Sequence, residues 1–475
     1  MCVRLSIVAV SGAVWSAIYA KQFRALQRCR TPAVPGPASD RPDPVAVVRR
    51  FVASETGPWA LFRIWRELCG EGVNEAVGCP VNSAGTTTAS LRPKDVVASF
   101  DGPVGAYIHV PFCEWICPFC PYNKVLAEAD LARRYFAALH REIDWYVAEH
   151  GDAPFTSMYI GGGTPTLYLD QLADVVRRIP VSGERAVEVL PTHGTVQRLD
   201  RLAAMGITAV SIGAQSFHDG VLRRLHRPHD AAASRAAVEN AFGRFGCVDV
   251  DLIVDVEWED EGAFPGVFLD DVNSCFEYGV DQVSTYPLMR FGYTPFGTAR
   301  HDRHLEHAVL RQVTELARSM GYERRSVWTF NRRGSMPYTS ITRRRFLGMG
   351  AGSSSFAGGD FYVNHFGVAT YADAVENNRL PIARWLHLGR WGGAAYDSFW
   401  QAYAGGVDRV SLSESYGPVV SGVARAGLAP FVLAGMLRSV PGGYRLTPRG
   451  FDRYHDLERW VTYEFIEPLW GEMLA

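Results

Sequence analysis

The stretch HVPFCEWICPFCPYNK, which runs from His109 to Lys124, places three cysteines within eight residues. Cys113, Cys117 and Cys120 stand four and three positions apart, among prolines and aromatic rings. Three thiolates can ligate three irons of a [4Fe–4S] cluster and leave the fourth iron open for a substrate or cofactor. Two other interpretations fit part of the pattern. One is a zinc site with His109 as the fourth ligand, and the other is a redox pair that uses only the last two cysteines.

A regular alternation begins after Asp101, where six short apolar runs are separated by stretches of helical periodicity. Such runs are typical of strands that are buried on both faces, so the alternation predicts parallel βα units. Six units are fewer than the eight of a closed barrel, and we therefore expect an α/β fold with a partial, TIM-like (βα)6 barrel. Chemistry in such folds gathers at the carboxyl ends of the strands, where the three cysteines follow the first strand. The predicted strands are 104–110, 157–161, 186–190, 209–213, 248–254 and 282–288.

The chain divides into four segments by composition and pattern. The first combines an apolar run, Leu5 to Ala20, with a proline-rich arm. That run of 16 residues is shorter than the roughly 20 that span a bilayer. We expect a packing helix or a translated extension in preference to a secretory signal, and no stable membrane insertion. The predicted segments are 1–45 with this run and arm, 46–100 as an N-terminal extension, 101–325 as the βα core, and 326–475 as a smaller C-terminal α+β domain with a winged module near 420–475.

The composition indicates which binding partners and which cellular compartment to expect. A chain of 475 residues with 47% hydrophobic and 21% charged residues fits a soluble globular protein with a sizeable core. Its net charge of -2 gives no electrostatic reason to expect a nucleic-acid partner. Nine cysteines are too few for a disulfide scaffold at this length, and we expect reduced thiols in a cytoplasmic protein.

The pattern Cys-x3-Cys-x2-Cys, with the aromatic Phe119 directly before its last cysteine, resembles the signature of the radical S-adenosylmethionine (SAM) enzymes. The fuller stretch YIHVPFCEWICPFC is similar to the oxygen-independent coproporphyrinogen III oxidase-like (HemN-like) family, and the resemblance covers roughly residues 104–356. It implies a radical SAM barrel with a HemN-type C-terminal domain. It also implies a [4Fe–4S] cluster on the three cysteines, SAM at the open iron, and an external one-electron donor of the flavodoxin or ferredoxin type.

Four further motifs carry this resemblance in order along the chain: YIGGGTPT from Tyr159, VEVLP, SIGAQSF with the later RLHRPH, and VDLIV. The glycines of the first motif let backbone groups approach a ligand closely. The resemblance implies two SAM molecules. The first would be contacted by Tyr107, Phe119, Gly162, Gly163, Thr164 and Glu188, and the second by Gln215, Arg227 and Asp251.

Three departures from the family pattern bear on the substrate. The family's fourth cysteine is replaced by Tyr122, and the motifs after the third and fifth strands differ. We therefore expect the methyltransferase and cyclopropanase branch, which transfers a methyl or methylene group from the second SAM to an sp² carbon. The expected substrate is an apolar specialised metabolite, bound by the C-terminal region, and no residue is assigned as catalytic. The alternatives are a tetrapyrrole enzyme, such as coproporphyrinogen III dehydrogenase, and a haem-chaperone-like cluster protein.

Overall fold

The computed structural model describes residues 91–100, 102–254, 263–297, 303–335 and 344–474. The predicted segment 1–45 and residues 46–90 of the predicted extension lie outside these described residues. The strands are β1 (Gly105–Val110), β2 (Phe112–Cys113), β3 (Val125–Leu126), β4 (Met158–Gly162), β5 (Arg185–Val189), β6 (Ala209–Gln215), β7 (Cys247–Val254), β8 (Gln282–Pro287), β9 (Tyr322–Arg324), β10 (Thr329–Arg332), β11 (Phe346–Met349), β12 (Ser354–Phe356), β13 (Asp360–Asn364), β14 (Ile382–His387), β15 (Gly406–Asp408), β16 (Leu437–Val440) and β17 (Gly443–Leu446).

The helices are α1 (Pro93–Val97), α2 (Ala129–His150), α3 (Leu169–Arg178), α4 (Val196–Ala204), α5 (Asp219–Arg224), α6 (Ala231–Ala241), α7 (Ala263–Tyr278), α8 (Arg303–Ser319), α9 (Val368–Glu376), α10 (Gly389–Tyr403), α11 (Arg409–Tyr416), α12 (Pro418–Leu433), α13 (Pro448–Val461) and α14 (Glu467–Leu474). Short 3-10 turns occur at Pro165–Tyr168 and Pro191–His193, and a π turn joins α13 to α14 at Thr462–Ile466.

Twelve strands form one sheet in the order β14-β13-β12-β11-β1-β4-β5-β6-β7-β8-β10-β9. The six predicted strands are β1 and β4 to β8, and they lie side by side and parallel, which confirms the prediction. A seventh parallel strand, β11, joins β1 through the pairing of Gly105 with Phe346. The outer strands at both edges pair antiparallel. The sheet therefore continues across residue 325, where the sequence analysis placed a domain boundary.

Helix α2 illustrates how the helices cover the sheet. The Glu128 side chain caps its start by accepting hydrogen bonds from the backbone N–H groups of Asp130 and Leu131 at 3.0 and 2.8 Å. Leu139 and Ile143 are four residues apart, so they share one face, and both are fully buried in the core. Burial of each side chain contributes about 2 kcal/mol relative to exposure.

Glu142 lies on the same buried face of α2 and joins this helix to the C-terminal strands. Its carboxylate accepts hydrogen bonds from the Gly350 backbone N–H, the Asn364 side-chain amide and the Tyr371 hydroxyl at 2.8, 2.8 and 2.5 Å. Burial raises the pKa of Glu142 to about 7. Farther along the chain, a second sheet has the order β15-β17-β16. Strand β15 precedes α11, and strands β16 and β17 lie between α12 and α13. These are the elements that a winged module requires, and the domain division itself stays a prediction.

The last helices return to the carboxyl ends of the parallel strands. The backbone N–H of Arg290 donates to the Tyr463 hydroxyl at 3.0 Å, and that of Gly292 donates to the Glu467 carboxylate. The Trp470 ring of α14 lies 5.8 Å from the ring of Tyr122. The C-terminal end of the chain therefore flanks the mouth of the barrel. Across the described part of the chain, no helix reaches the length and apolarity that a bilayer crossing needs.

Candidate functional site

The three cysteines lie on a loop that leaves the carboxyl end of β1. Two short parallel strands, β2 and β3, fasten the ends of this loop, because Phe112 pairs with Val125 and Cys113 with Leu126. Cys113 and Cys117 are buried and Cys120 is partly buried, and all three thiols are free of disulfides. The backbone N–H of Cys120 donates to the carbonyl of Cys117 at 3.2 Å, which turns the loop back on itself.

His109 precedes the first cysteine but is committed to other partners. Its Nε2 lies 2.8 Å from the carbonyl oxygen of Asn123, and its Nδ1 lies 2.8 Å from the Tyr107 hydroxyl. A carbonyl only accepts, so Nε2 carries the proton and Nδ1 accepts from the tyrosine. Burial lowers the pKa of His109 to about 4, which keeps the ring neutral. Both ring nitrogens are thus occupied, and the alternative that makes His109 a zinc ligand loses its support.

The glycine loop after β4 packs directly against the cysteine loop. The N–H of Gly163 donates to the Val110 carbonyl at 2.8 Å, and that of Thr164 donates to the Phe112 carbonyl at 2.7 Å. A methyl group at Gly163 would stand 2.9 Å from the sulfur of Cys113. Glycine is therefore required here, because any side chain would intrude on the thiol.

Glu188 projects from β5 towards the same loop. Its carboxylate accepts hydrogen bonds from the Tyr159 hydroxyl at 2.5 Å and the Gly162 backbone N–H at 3.1 Å. Tyr159 in turn stacks on Tyr107, with ring centroids 6.0 Å apart. Burial is the main cause that raises the pKa of Glu188 to about 7, and the nearby Asp251 raises it further. This carboxylate can hold a cationic group that enters from the barrel mouth.

Gln215, Arg227 and Asp251 form a second group, on the strands β6 and β7 and on the turn after α5. Gln215 adopts a φ of 69°, a left-handed conformation that is uncommon outside glycine and clusters at functional sites. The Arg227 guanidinium donates to the Gly213 carbonyl at 2.8 Å and to the sulfur of Cys117 at 3.2 Å. The Asp251 carboxylate accepts from the Ser211 hydroxyl at 2.6 Å. Burial raises the pKa of Asp251 to about 6, although this hydrogen bond and Arg227 oppose the rise.

Phe119 belongs to this second group, because it lies beside Arg227. Its ring lies 5.9 Å from the Arg227 guanidinium, a distance at which a cation attracts the face of an aromatic ring. It also packs on a small apolar cluster that contains Val221, Leu225 and Phe296. The described structure therefore brings the predicted residues into two groups around the cysteines. The first group is Tyr107, Gly162, Gly163, Thr164 and Glu188, and the second is Phe119, Gln215, Arg227 and Asp251.

Asn123 is a residue of this site that the sequence analysis did not identify. Its carbonyl holds His109, and its side-chain amide donates to the carbonyls of Ala351 and Phe366 at 3.1 and 2.9 Å. A methyl group at Gly352 would stand 2.6 Å from that amide nitrogen. Asn123 thereby fastens the cysteine loop to the turn after β11. In the sequence, the position of Asn123 three residues after the last cysteine was the one indication of a role, and it does not show which groups the side chain contacts.

The donor set fits an iron–sulfur cluster. Burial raises the pKa of the Cys113 thiol to about 12, which opposes a free thiolate at neutral pH unless a cation replaces the proton. Within the described residues, no three His, Cys, Asp or Glu side chains lie close enough to share one metal ion. The thiols of a [4Fe–4S] cluster bind different irons and need no such convergence, whereas the ligands of a zinc ion do.

Comparisons with known proteins agree with this geometry. A family model described as the radical SAM superfamily matches residues 107–261. "Heme chaperone HemW" of Bacillus subtilis (strain 168) is 25% identical over 370 residues, which cover 73% of this chain and 95% of that protein. "Heme chaperone HemW" of Mycobacterium tuberculosis (strain CDC 1551 / Oshkosh) is 29% identical over 313 residues, which cover 60% of this chain and 78% of that protein.

The solved structure of coproporphyrinogen III oxidase (HemN) from Escherichia coli superposes with a TM-score of 0.66 at 21% identity. The match covers 77% of this chain and 91% of that one. This likeness concerns the fold.

Proposed function

We propose, from the radical SAM core with HemN-like fold that this chain contains, that it holds a [4Fe–4S] cluster and SAM and carries haem in the manner of a chaperone. The cluster ligands would be Cys113, Cys117 and Cys120. A [4Fe–4S] cluster with SAM at its open iron can supply one-electron cleavage of the sulfonium, a step that carrying haem would not use. The chain's own residues would bind and orient the two groups and exclude water from them.

One observation carries the cofactor part of this proposal. The glycine loop contacts the cysteine loop so closely that Gly163 admits no side chain beside Cys113. The Cys113 thiol, the backbone of the glycine loop and the Glu188 carboxylate therefore lie next to one another. The Glu188 carboxylate would receive the positively charged amino group of SAM, because its side chain is only partly buried and its two donors leave acceptor positions for a third.

An aromatic surface next to the cysteine loop supports the haem part. We define the aromatic wall as the rings of Tyr122, Phe291, Tyr293, Phe366 and Trp470. Its members contact one another at centroid distances between 5.3 and 6.5 Å. Tyr122 and Tyr293 are 46% and 37% exposed, so ring surface remains available to a flat ligand. The two relatives described above bear the name of haem chaperones, and this chain covers most of the length of each.

Methylene transfer is the second candidate. The sequence analysis expected it, and the comparisons give no support to that finer prediction. Its own support is the second group at the mouth, where Gln215 and Arg227 both lie next to Gly213 and Asp251 lies nearby. Three polar side chains in one place could hold a second SAM, as the family resemblance implies.

Anaerobic reconstitution, followed by a titration with haem and an assay for 5'-deoxyadenosine, tests the proposal. Iron and sulfide near four atoms each per chain are expected, together with an absorbance change on titration with haem and no 5'-deoxyadenosine release. Release of 5'-deoxyadenosine with label transfer from methyl-deuterated SAM would favour the second candidate. Protein that binds zinc in place of iron and sulfide would contradict both.

A further inference from the structure

A cavity of about 250 Å³ opens where the twelve-stranded sheet meets the helices α10 and α11. Arg345 lines it just before β11, His387 at the end of β14, Arg390 in the first turn of α10 and Ser415 in the last turn of α11. Sites for drug-sized ligands have volumes of roughly 300 to 1,000 Å³. This smaller cavity therefore suits a small ligand or one polar group of a larger one.

The cavity is separate from the candidate site around the cysteines. Phe346, which follows Arg345 in the chain, pairs with Gly105 at the first residue of β1. The cysteine loop leaves β1 at its other end, after Val110. The length of β1 between these two ends is about 16 Å. The cavity and the thiols therefore lie at opposite ends of the parallel strands.

Two guanidinium groups line the cavity without a carboxylate partner. Within the described residues, the ion pairs include neither Arg345 nor Arg390. Arg390 donates one hydrogen bond, to the Tyr416 carbonyl at 2.6 Å, and its other N–H groups remain available. A guanidinium presents its N–H groups in a planar fork that matches the oxygens of a carboxylate or a phosphate. Two such groups at one cavity favour an anionic ligand.

His387 and Ser415 add further hydrogen-bond donors. The Nδ1–H of His387 donates to the Asp360 carboxylate at 2.7 Å, and this hydrogen bond raises the pKa of His387. The protonated ring can donate from Nε2 as well, and the hydroxyl of Ser415 is a donor that rotates to suit its acceptor. The 15-residue helix α10 also begins at the cavity, which adds the partial positive charge of a helix start.

The carboxylates near the cavity do not neutralise these donors. None of the described residues that line it is aspartate or glutamate. Asp360 is paired with His387, and Asp397 is paired with Arg344 at 2.9 Å. Glu414 on α11 is exposed and offsets at most one of the two unpaired guanidinium groups. The charge around the cavity is therefore positive even when Glu414 is included.

We propose that this cavity binds a phosphate group, either as inorganic phosphate or as part of a small phosphate monoester. Its side-chain donors are two guanidinium groups, an imidazole and a hydroxyl. They outnumber the two oxygens of a carboxylate, whereas a tetrahedral phosphate offers an acceptor oxygen in each direction. The bound phosphate would join the sheet to α10 and α11. This inference goes beyond the proposed function and depends on neither the cluster nor haem.

Titration calorimetry of the full chain at constant ionic strength tests the proposal. Inorganic phosphate and glycerol 3-phosphate are the two ligands, and acetate is the carboxylate for comparison. Arg345→Gln/Arg390→Gln should weaken the binding of phosphate by about tenfold or more. The matched control is Arg133→Gln/Arg177→Gln, whose side chains are 74% and 72% exposed elsewhere on the surface and which should bind as the wild type does.

A second measurement is the midpoint of urea unfolding. Phosphate should raise the midpoint of the wild type, because a ligand that binds only the folded state stabilises it, and it should raise that of Arg345→Gln/Arg390→Gln much less. The single variant Arg345→Gln loses no ion pair of the described residues and should weaken binding in the same direction. It replaces the double variant if that protein does not fold.

Several outcomes would overturn the inference. Wild-type protein that binds neither phosphate compound would refute it, as would equal affinity in the wild type and in Arg345→Gln/Arg390→Gln. An equal loss in the control variant would show a general charge effect, and acetate that binds as tightly as phosphate would contradict the choice of ligand.

Two other outcomes would support the inference. Binding of glycerol 3-phosphate without binding of inorganic phosphate would identify the ligand as a phosphorylated small molecule. Phosphate binding by a protein that takes up no cluster would refute the proposed function and confirm the phosphate site.

Discussion

Glu142 on α2 and Glu188 on β5 both lie inside the fold, and burial raises the pKa of each to about 7. Their surroundings differ. Glu142 has no exposed surface, and three donors occupy its two oxygens. Glu188 has two donors, and the residue remains partly accessible to solvent. A carboxylate with a complete set of donors stabilises the fold, whereas one with an open side can receive a ligand.

The same contrast extends to the regions around the two glutamates. The region around Glu142 joins α2 to the C-terminal strands and α9, and its polar groups bond to one another. The region around Glu188 has an unusual backbone conformation at Gln215 and free thiols on the cysteine loop. We expect substitutions in the first region to change stability and substitutions in the second to change binding.

The largest expected effect is the loss of the cluster in Cys117→Ala. The variant should lack a cluster thiolate and the acceptor of the Arg227 guanidinium, and it should retain no stable iron and sulfide. The matched control is Cys247→Ala, a buried and free cysteine at the start of β7. Iron and sulfide analysis after anaerobic reconstitution checks this. A full cluster in Cys117→Ala would contradict the proposal that the cysteine loop holds the cluster.

Glu142→Ala should cause the largest change in stability. It leaves three buried donors without this acceptor and opens a cavity, which should lower the free energy of unfolding by about 3 kcal/mol or more. Glu149→Ala, an exposed position on the same helix, should change it by about 0.5 kcal/mol at most. Urea unfolding of the cluster-free proteins measures both. Equal effects of the two substitutions would contradict the role given to Glu142.

Glu188→Gln should weaken SAM binding with little cost to the fold. The amide keeps an oxygen that can accept from Tyr159 or Gly162 but loses the negative charge that would hold the SAM amino group. We expect about tenfold weaker binding, which corresponds to about 1.4 kcal/mol. Titration calorimetry of the reconstituted protein with SAM provides the measurement, with Glu149→Gln as the control. Unchanged SAM affinity would place the amino group elsewhere.

The smallest expected effect is a change in the pH dependence of stability. The pKa of Glu188 rises from its ordinary value of 4.5 to about 7 in the folded protein, so the folded state binds the proton more tightly than the unfolded state. Stability should therefore fall as pH increases from about 4.5 to about 7. In Glu188→Gln this fall in the free energy of unfolding should be smaller by about 1 kcal/mol. The full pKa shift would give a larger value, but solvent screens the partly accessible side chain. The measurement is the midpoint of urea unfolding at pH 5 and pH 8 for both proteins without cofactors. An equal change of midpoint with pH in the two proteins would contradict the prediction.

The parts of the fold that sequence analysis predicted have local causes. The strands β1 and β4 to β8 appear as short apolar runs because both faces of each strand are covered. The three cysteines were recognisable as candidate ligands because they lie within eight residues. The glycine loop was recognisable for a similar reason, since its close approach to Glu188, His109 and the cysteine loop requires glycine at consecutive positions.

Other parts could not be predicted from sequence. The seventh parallel strand, β11, is only four residues long, and the antiparallel strands β9 and β10 separate it from β8 in the chain. No regular strand–helix alternation therefore predicts it. Asn123 and Glu142 looked like ordinary polar residues, because their partners lie 243 and 229 positions away in the chain. The contact between Trp470 and Tyr122 likewise could not be predicted from a local sequence pattern.

The amino-acid order alone determined the six-strand core, the thiol-bearing loop and the residues that line it, because hydrophobic periodicity and ligand spacing act over short stretches of chain. Only the folded chain decided that both ring nitrogens of His109 are occupied, that one buried glutamate has a complete set of donors and another does not, and that the Trp115 indole is fixed to the His226 carbonyl. These properties depend on which distant groups donate to which acceptors, and such pairings arise from packing in three dimensions.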